Sequence, residues 1–365
     1  MSDSWVNTLI SLGAQFSDGR LTQFSGVTAE TAMARTAGIC DLSHYGLIKI
    51  TGDDAGKFLH AQFTNDVALL PSGLSQLNGW CSPKGRLLAV FWIWRVEDAY
   101  YLLLRKSLQP MIQKRLGMFI LRSKVVLEDL SGTTVRIGLI KVSGAEGAVD
   151  IFGGSIPAFG SVATTSNGTS VRLSASRTVL ITEPNNAPAA WQDLCKTTQP
   201  LTANEWDLAA VNEGIIEVVP DTQDCYVPQM ANFELVGGVS FKKGCYPGQE
   251  IVARTQYRGI LKRRMAKVSS FSSAALKPGT PVYSPQFPDQ SVGSVALSAR
   301  CTATKVVSLI VTQLEAINHD NLFLDLACSP ENKLVIDPLP YAYPACQVRP
   351  IKAFGAFQYV KCRPR

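Results

Sequence analysis

The stretch from Lys242 to Arg258, KKGCYPGQEIVARTQYR, constrains this chain more than any other. Gly244 and Gly248 strip side-chain bulk from both sides of Cys245, which permits tight turns or the close approach of a ligand. Pro247 fixes one backbone dihedral between them and drives Tyr246 towards an extended conformation. Two lysines precede the cysteine and two arginines follow it, and neighbouring cations favour a thiolate over a thiol. The stretch reads either as a stiff loop presenting a reactive Cys245 with Lys243 beside it, or as a basic surface turn in which the cysteine is incidental.

Positive charge gathers in the same place. From Lys242 to Lys267 eight basic residues stand against Glu250 alone, although the 365 residues together carry a net charge of only +6. The end of the chain adds Arg349, Lys352, Lys361, Arg363 and Arg365. Such a patch points to an anionic partner, a polycarboxylate ligand or nucleic acid, or else to a solvated basic edge. Nine cysteines, at 40, 81, 195, 225, 245, 301, 328, 346 and 362, include no pair at metal-ligand spacing, and none of the three histidines adjoins one. The pattern predicts reduced thiols and no permanent metal site. The start, Met1-Ser2-Asp3-Ser4, has neither a basic region nor an apolar signal core, and no apolar run is long enough to span a membrane, so a cytoplasmic protein is expected.

Along the chain, Leu47–Thr51 alternates as a strand and Asp53 is placed to cap a helix carrying Ala55, Phe58, Leu59 and Phe63. His60 lies beside that apolar stripe and reads as a packed or surface histidine. The turn Cys81–Arg86 leads into a β-hairpin of Leu87–Trp94 and Ala99–Leu104. Met111–Leu121 has the pattern of an amphipathic helix, Val125–Leu130 of a strand, and Ala189–Cys195 of a helix. Thr202-Ala203-Asn204-Glu205 is a capping box, opening a helix that ends at Gly214. Trp206, near its start, offers a flat face either to the core or to a ring ligand. After Arg264 the text turns β-rich and Gly/Pro-punctuated, as in a small barrel, ending at Leu334–Tyr341.

Lys243-Gly244-Cys245-Tyr246-Pro247-Gly248-Gln249-Glu250, with Gly237–Phe241 before it and Val252-Ala253-Arg254 after it, closely resembles the signature of the YgfZ family. Ile50–Ala55, Thr64-Asn65-Asp66, Pro83–Arg86 and Pro338–Tyr341 match the same family in the same order, so the resemblance runs from about Cys40 to Tyr341. It implies an α+β, three-lobed, aminomethyltransferase-like folate-binding fold with a C-terminal β-barrel. The expected division is 1–260 for two α+β lobes, 261–341 for the barrel and 342–365 for a loose basic tail. It also implies a bound tetrahydrofolate, held by Tyr45, Trp206, Asn212, Tyr246, Gln249, Glu250, Arg254 and Arg258. Two positions depart from relatives: Tyr45 is tryptophan in some, and Asn212 stands where the aminomethyltransferase branch has a pterin-binding glutamate. A folate's acidic tail suits a rim of Arg254, Arg258 and Lys243.

The function implied is that of an accessory factor for assembly or repair of iron–sulfur clusters in client enzymes, tRNA-modifying ones among them. Cys245 would be its reactive thiol, and any cluster contact would be transient. The alternative is a tetrahydrofolate-dependent one-carbon (aminomethyl-type) transferase, which needs an acid–base group beside the folate. A nucleic-acid module built on Lys262, Arg263 and Arg264 ranks last, because interleaved aromatics are missing. No direct nucleic-acid or membrane partner is expected.

Overall fold

A computed structural model describes residues 2–26, 37–141, 160–257 and 261–344. The tail expected from 342 onwards lies outside the described residues beyond 344, and so does Arg258. The chain divides into two compact units that interleave in sequence. The first comprises Met1–Trp80, Ala89–Ala209 and Lys242–Tyr246, and the second Cys81–Leu88, Ala210–Phe241 and Pro247–Arg365.

The first unit opens with helix α1 (Ser2–Ser11) and a two-stranded ribbon, β1 (Ala14–Ser17) and β2 (Arg20–Phe24). Strands β3 (Ala37–Asp41) and β4 (Tyr45–Thr51) precede helix α2 (Ala55–Gln62), and then come β5 (Ser75–Cys81), β6 (Leu87–Val96) and β7 (Ala99–Arg105). Helix α3 (Gln109–Ile120) leads to β8 (Val126–Asp129), β9 (Val135–Lys141), β10 (Val162–Thr165), β11 (Gly168–Arg172) and β12 (Arg177–Thr182). Helix α4 (Ala187–Cys195), β13 (Gln199–Leu201) and helix α5 (Ala203–Glu213) follow. One sheet runs β5-β6-β7-β4-β8 and a second β10-β11-β12-β9-β3-β13, whose last pair is parallel. β6 and β7 form the expected hairpin, with Trp92 opposite Leu103 and Val96 opposite Ala99. Under the second sheet Trp5, Leu9, Ile39, Ile137, Trp191 and their neighbours make one apolar core.

The second unit carries helix α6 (Gln249–Tyr257), strands β14 (Arg263–Phe271), β15 (Pro281–Val282), β16 (Gly293–Arg300) and β17 (Lys305–Gln313), the short helix α7 (Leu314–Asn318), and strands β18 (Leu322–Phe323) and β19 (Lys333–Asp337). The sheet order is β15-β16-β17-β14-β19-β18. Its edges nearly meet, because Tyr283, just past β15, exchanges backbone hydrogen bonds with Phe323 of β18 at 2.9 and 3.0 Å. This is the expected barrel-like sheet, filled by Val268, Val282, Val295, Ile310 and Leu334.

Local expectations meet three corrections. Asp53 does not cap α2: Asp54 holds the cap position without a side-chain cap bond, while Asp53 pairs with Lys124 at the surface at 2.9 Å. The helix expected to reach Leu121 stops one residue earlier, where Leu121 takes φ +47°. The stretch read as a loop from Lys242 to Arg258 turns helical at Gln249. Half of the capping box at Thr202 forms, since Glu205 Oε2 accepts the Thr202 N–H at 2.8 Å, while Thr202 Oγ1 caps the Asn204 N–H at 3.2 Å instead of that of Glu205. At the other end of α5, Gly214 adopts φ +64°, and the terminal motif docks there: the Tyr341 hydroxyl donates to the Gly214 carbonyl at 2.7 Å.

His44 gives the first unit a pH dependence. Its ring is buried, and neither nitrogen finds a hydrogen-bond partner among the described residues. Burial, and then Arg105, Arg20 and Arg136, push its pKa well below the ordinary histidine value. Below about pH 6.5 the unfolded chain binds a proton that the folded chain refuses. Stability is therefore expected to fall as pH drops through 6.5, and His44→Leu should flatten that fall. Urea midpoints of both proteins between pH 5 and 8 check it, and parallel curves would refute it.

Candidate functional site

The signature stretch is anchored at two points, one in each unit. In the first unit the Lys243 side chain is buried, and its ammonium donates to the carbonyls of His60 and Phe63. Those carbonyls close the C-terminal end of α2, where a cation complements the helix dipole. The ammonium also lies 5.0 Å from the Tyr246 ring centroid, a cation–π contact. Burial draws its pKa down to about 8, with Asp66 opposing the shift. Gly244 passes the His60 ring so closely that a Cβ there would sit 3.4 Å from Nε2. The other ring nitrogen, Nδ1, is 3.1 Å from Asp66 Oδ1. Between Gly244 and the buried Tyr246, Cys245 is exposed.

In the second unit the following residues press on a different motif. Gly248 adopts φ +79°, and a Cβ on it would run into the Ser82 carbonyl and come within 2.6 Å of the Gly85 Cα. That turn is fixed in its own right, since Ser82 Oγ donates to Asp224 Oδ1 at 2.7 Å and Arg86 Nη1 to the Cys225 carbonyl at 3.1 Å. Helix α6 starts immediately afterwards, and its buried Val252 carbonyl accepts from Gln229 Nε2 at 2.7 Å. Lys243-Gly244 thus docks on the Thr64-Asn65-Asp66 region, and Pro247-Gly248 on the Pro83–Arg86 turn. Motifs far apart in sequence meet in pairs.

The other expected site residues fall into two groups. Tyr45 and Trp206 lie in the first unit and touch each other, with Trp206 Nε1 donating to the Tyr45 hydroxyl at 3.0 Å. Both are sealed. Trp206 has no exposed surface, Arg177 lies 5.2 Å over its ring, and a Cβ on Gly138 would stand 2.8 Å from it. Arg105 covers Tyr45 at 4.8 Å and binds Asp207 Oδ1 at 2.5 Å, while Arg20 takes Oδ2. In the second unit Asn212 is exposed, its Oδ1 accepting from Lys267 Nζ at 3.0 Å. Gln249 is half-buried at the start of α6, and Glu250 and Arg254 are exposed along it. One basic residue of the nucleic-acid reading is withdrawn: Arg264 is buried and bonded to Glu234 at 2.6 Å, because strand alternation turns it inward while Arg263 faces out.

His60 and Asp66 were missed as neighbours of the thiol segment. Their place beside Gly244 depends on a contact spanning most of the chain. The only hint in the sequence was a histidine just before the end of a helix that leads into Thr64-Asn65-Asp66. Among the described residues no group of three or more His, Cys, Asp or Glu is placed to hold a metal ion, and no helix is long and apolar enough to cross a membrane.

Comparison with known proteins adds to this geometry. The GCVT N-terminal domain family matches residues 9–146. A tRNA-modifying protein YgfZ from Vibrio atlanticus is 30% identical over 308 residues, covering 82% of this chain and 91% of that protein. The chain belongs to the YgfZ family. A YgfZ protein from Photobacterium profundum is 33% identical over 230 residues, covering 62% of this chain and 68% of its own length. In fold, the chain matches the glycine cleavage system aminomethyltransferase T of Bartonella henselae with a TM-score of 0.73, over 91% of this chain and 94% of that one, at 14% identity. The likeness to YgfZ proteins therefore rests on sequence, and the likeness to aminomethyltransferase T on architecture alone.

Proposed function

We propose that this YgfZ-family chain is a folate-binding accessory protein for the assembly or repair of iron–sulfur clusters in client enzymes, tRNA-modifying ones among them, with Cys245 as its reactive thiol. The observation that carries the reading is the exposure of Cys245 on a segment whose flanks are fixed, by Lys243 and Tyr246 on the spot and by Gly248 shortly after. A thiol held in place by its backbone meets a soft partner without first losing freedom of its own. Four-iron clusters take four cysteine ligands, so one thiolate engages a cluster, as cargo, only transiently or in company with the client.

Tetrahydrofolate is the ligand of this reading. A flat pterin with an acidic tail asks for an aromatic face, polar groups at its edge and a cationic rim. Asn212, Gln249 and Glu250 suit the polar edge, and Arg254 the tail. Tyr257 follows Arg254 by one helical turn of α6, is 70% exposed and rests edge-on against Phe241; it offers the open face that the buried Trp206 does not. Tyr45 and Trp206, both buried, enter as framework of the first unit. Lys243, committed to two carbonyls, fixes the thiol segment.

The test pairs two measurements on the same proteins. By calorimetry, wild type and Cys245→Ala are expected to bind tetrahydrofolate alike, and Arg254→Ala at least ten-fold more weakly. In a deletion strain Cys245→Ala should fail to restore client-enzyme activity. Full rescue by that variant sinks the thiol role, and wild type giving no binding heat sinks the ligand. The fold match favours one second reading, an aminomethyl-type transferase. It requires an acid–base group beside the folate, whereas position 212 here is an amide engaged by Lys267. Turnover of methylene-tetrahydrofolate by the purified protein would decide for it.

A further inference from the structure

Within the first unit, lined by none of the residues used above for folate or thiol, α2 and the chain leaving α3 border an open cleft of about 860 Å³. That volume suits a small organic ligand. Phe58, Phe119 and Leu121 form its apolar walls. Phe119 is 46% exposed and is supported from behind by Trp80, whose ring meets it edge-on at 6.3 Å. Leu121 is 88% exposed at φ +47°, a conformation costly for a side-chain-bearing residue and one that concentrates at ligand sites.

The polar groups of the cleft are incomplete as they stand. Gln62 lines it, is nine-tenths buried, and keeps Oε1 without a hydrogen-bond partner among the described residues. A buried acceptor left unpaired costs free energy that a donor would recover, and the terminal amide turns easily to present it. Lys57 and Arg122 stand exposed at the mouth, and neither is in an ion pair among the described residues. Asp54 also lines the cleft; its Oδ2 accepts the Lys124 backbone N–H at 2.8 Å and its charge remains, so the three ionic groups leave a net charge of +1. The cleft thus combines an open aromatic face, an amide wanting a donor and two cations against one carboxylate.

From this combination we infer a second ligand site in the first unit, for an adenine nucleotide. A glutamine amide pairs with the exocyclic amine and N7 of adenine. An exposed phenyl ring gives the base a stacking face. Arg122 and Lys57 meet the phosphate, the first by its fork and the second as a point charge. The same chemistry is presented by a free mononucleotide and by an adenosine within an RNA strand.

Calorimetry on the full chain with 5′-AMP, adenosine and a single-stranded hexaadenylate tests the site. Wild type should bind AMP saturably, and saturating tetrahydrofolate should leave that binding unchanged. Gln62→Leu should weaken AMP and adenosine alike, by at least ten-fold. The surface pair Lys57→Ala/Arg122→Ala should weaken AMP as much while sparing adenosine, and needs no change in the fold. Hexaadenylate binding far more tightly than AMP, with a steep salt dependence, identifies an RNA strand as the source; equal affinities identify the free nucleotide. Absence of AMP binding by wild type, unchanged affinity in both variants, or displacement of AMP by tetrahydrofolate overturns the assignment.

Discussion

Arg264→Met is expected to destabilise the second unit by about 3–5 kcal/mol, the cost of breaking a buried ion pair from one side. Arg264 is 1% exposed, and its Nη1 donates to Glu234 Oε1 at 2.6 Å and to the Gln229 carbonyl at 2.9 Å. Burial already pushes the Glu234 carboxyl above its usual range, and Arg264 is the group that opposes this. Without the guanidinium the carboxylate remains buried and uncompensated, and it takes up a proton. Arg264→Met/Glu234→Leu should recover much of the loss, since apolar replacement of both partners is often close to neutral. Urea midpoints of the two variants check the pair. A single variant within about 1 kcal/mol of wild type, the range of an exposed pair, would show that the bridge is not buried in solution.

Gly248→Ala is the second large effect. A side-chain-bearing residue in the left-handed region loses about 1–2 kcal/mol on conformation alone. At Gly248 the new Cβ also meets the Ser82 carbonyl and the Gly85 backbone, neither of which swings aside as a side chain would. Gly73 supplies the control: its φ is +82°, and a Cβ there meets nothing within 4 Å. Gly73→Ala should therefore show the conformational cost alone, and Gly248→Ala at least twice as much by thermal or urea unfolding. Equal losses would mean that the turn yields freely and does not fix the segment after Cys245.

Sequence reasoning succeeded where the signal is local. Two short apolar runs either side of a charged turn marked the β6–β7 hairpin, Thr202 and Glu205 marked the start of α5, and Gly214 marked its end, because each depends on residues within a few positions. Helix α6 was missed. Gly-Pro-Gly spacing ahead of it dominated the reading, and its single buried residue, Val252, makes no apolar stripe. The candidate site was readable as a set of residue types but not as an arrangement. Lys243 carries the same charge whether it greets a ligand or seals a helix end, and only the fold shows which carbonyls it meets. Trp206 likewise has one flat face on paper, and the packing of Arg177 and Gly138 decides that it faces inward.

The interleaving of the two units bears on how the chain is made. The Lys242–Tyr246 segment belongs to the first unit although it is preceded and followed by chain of the second. On a ribosome, domains tend to fold as they emerge, yet α2 receives its cap from Lys243 only after some 180 further residues have been made. The last barrel strand, β19, pairs with β14 through Lys267 and Asp337, so the second unit waits longer still. A nascent chain stopped at Phe241 would hold nearly all of the first unit and lack both its closing clasp and the thiol. Cys245 is thus among the last pieces fitted to its unit, and it takes its place while most of the second unit is still to be made.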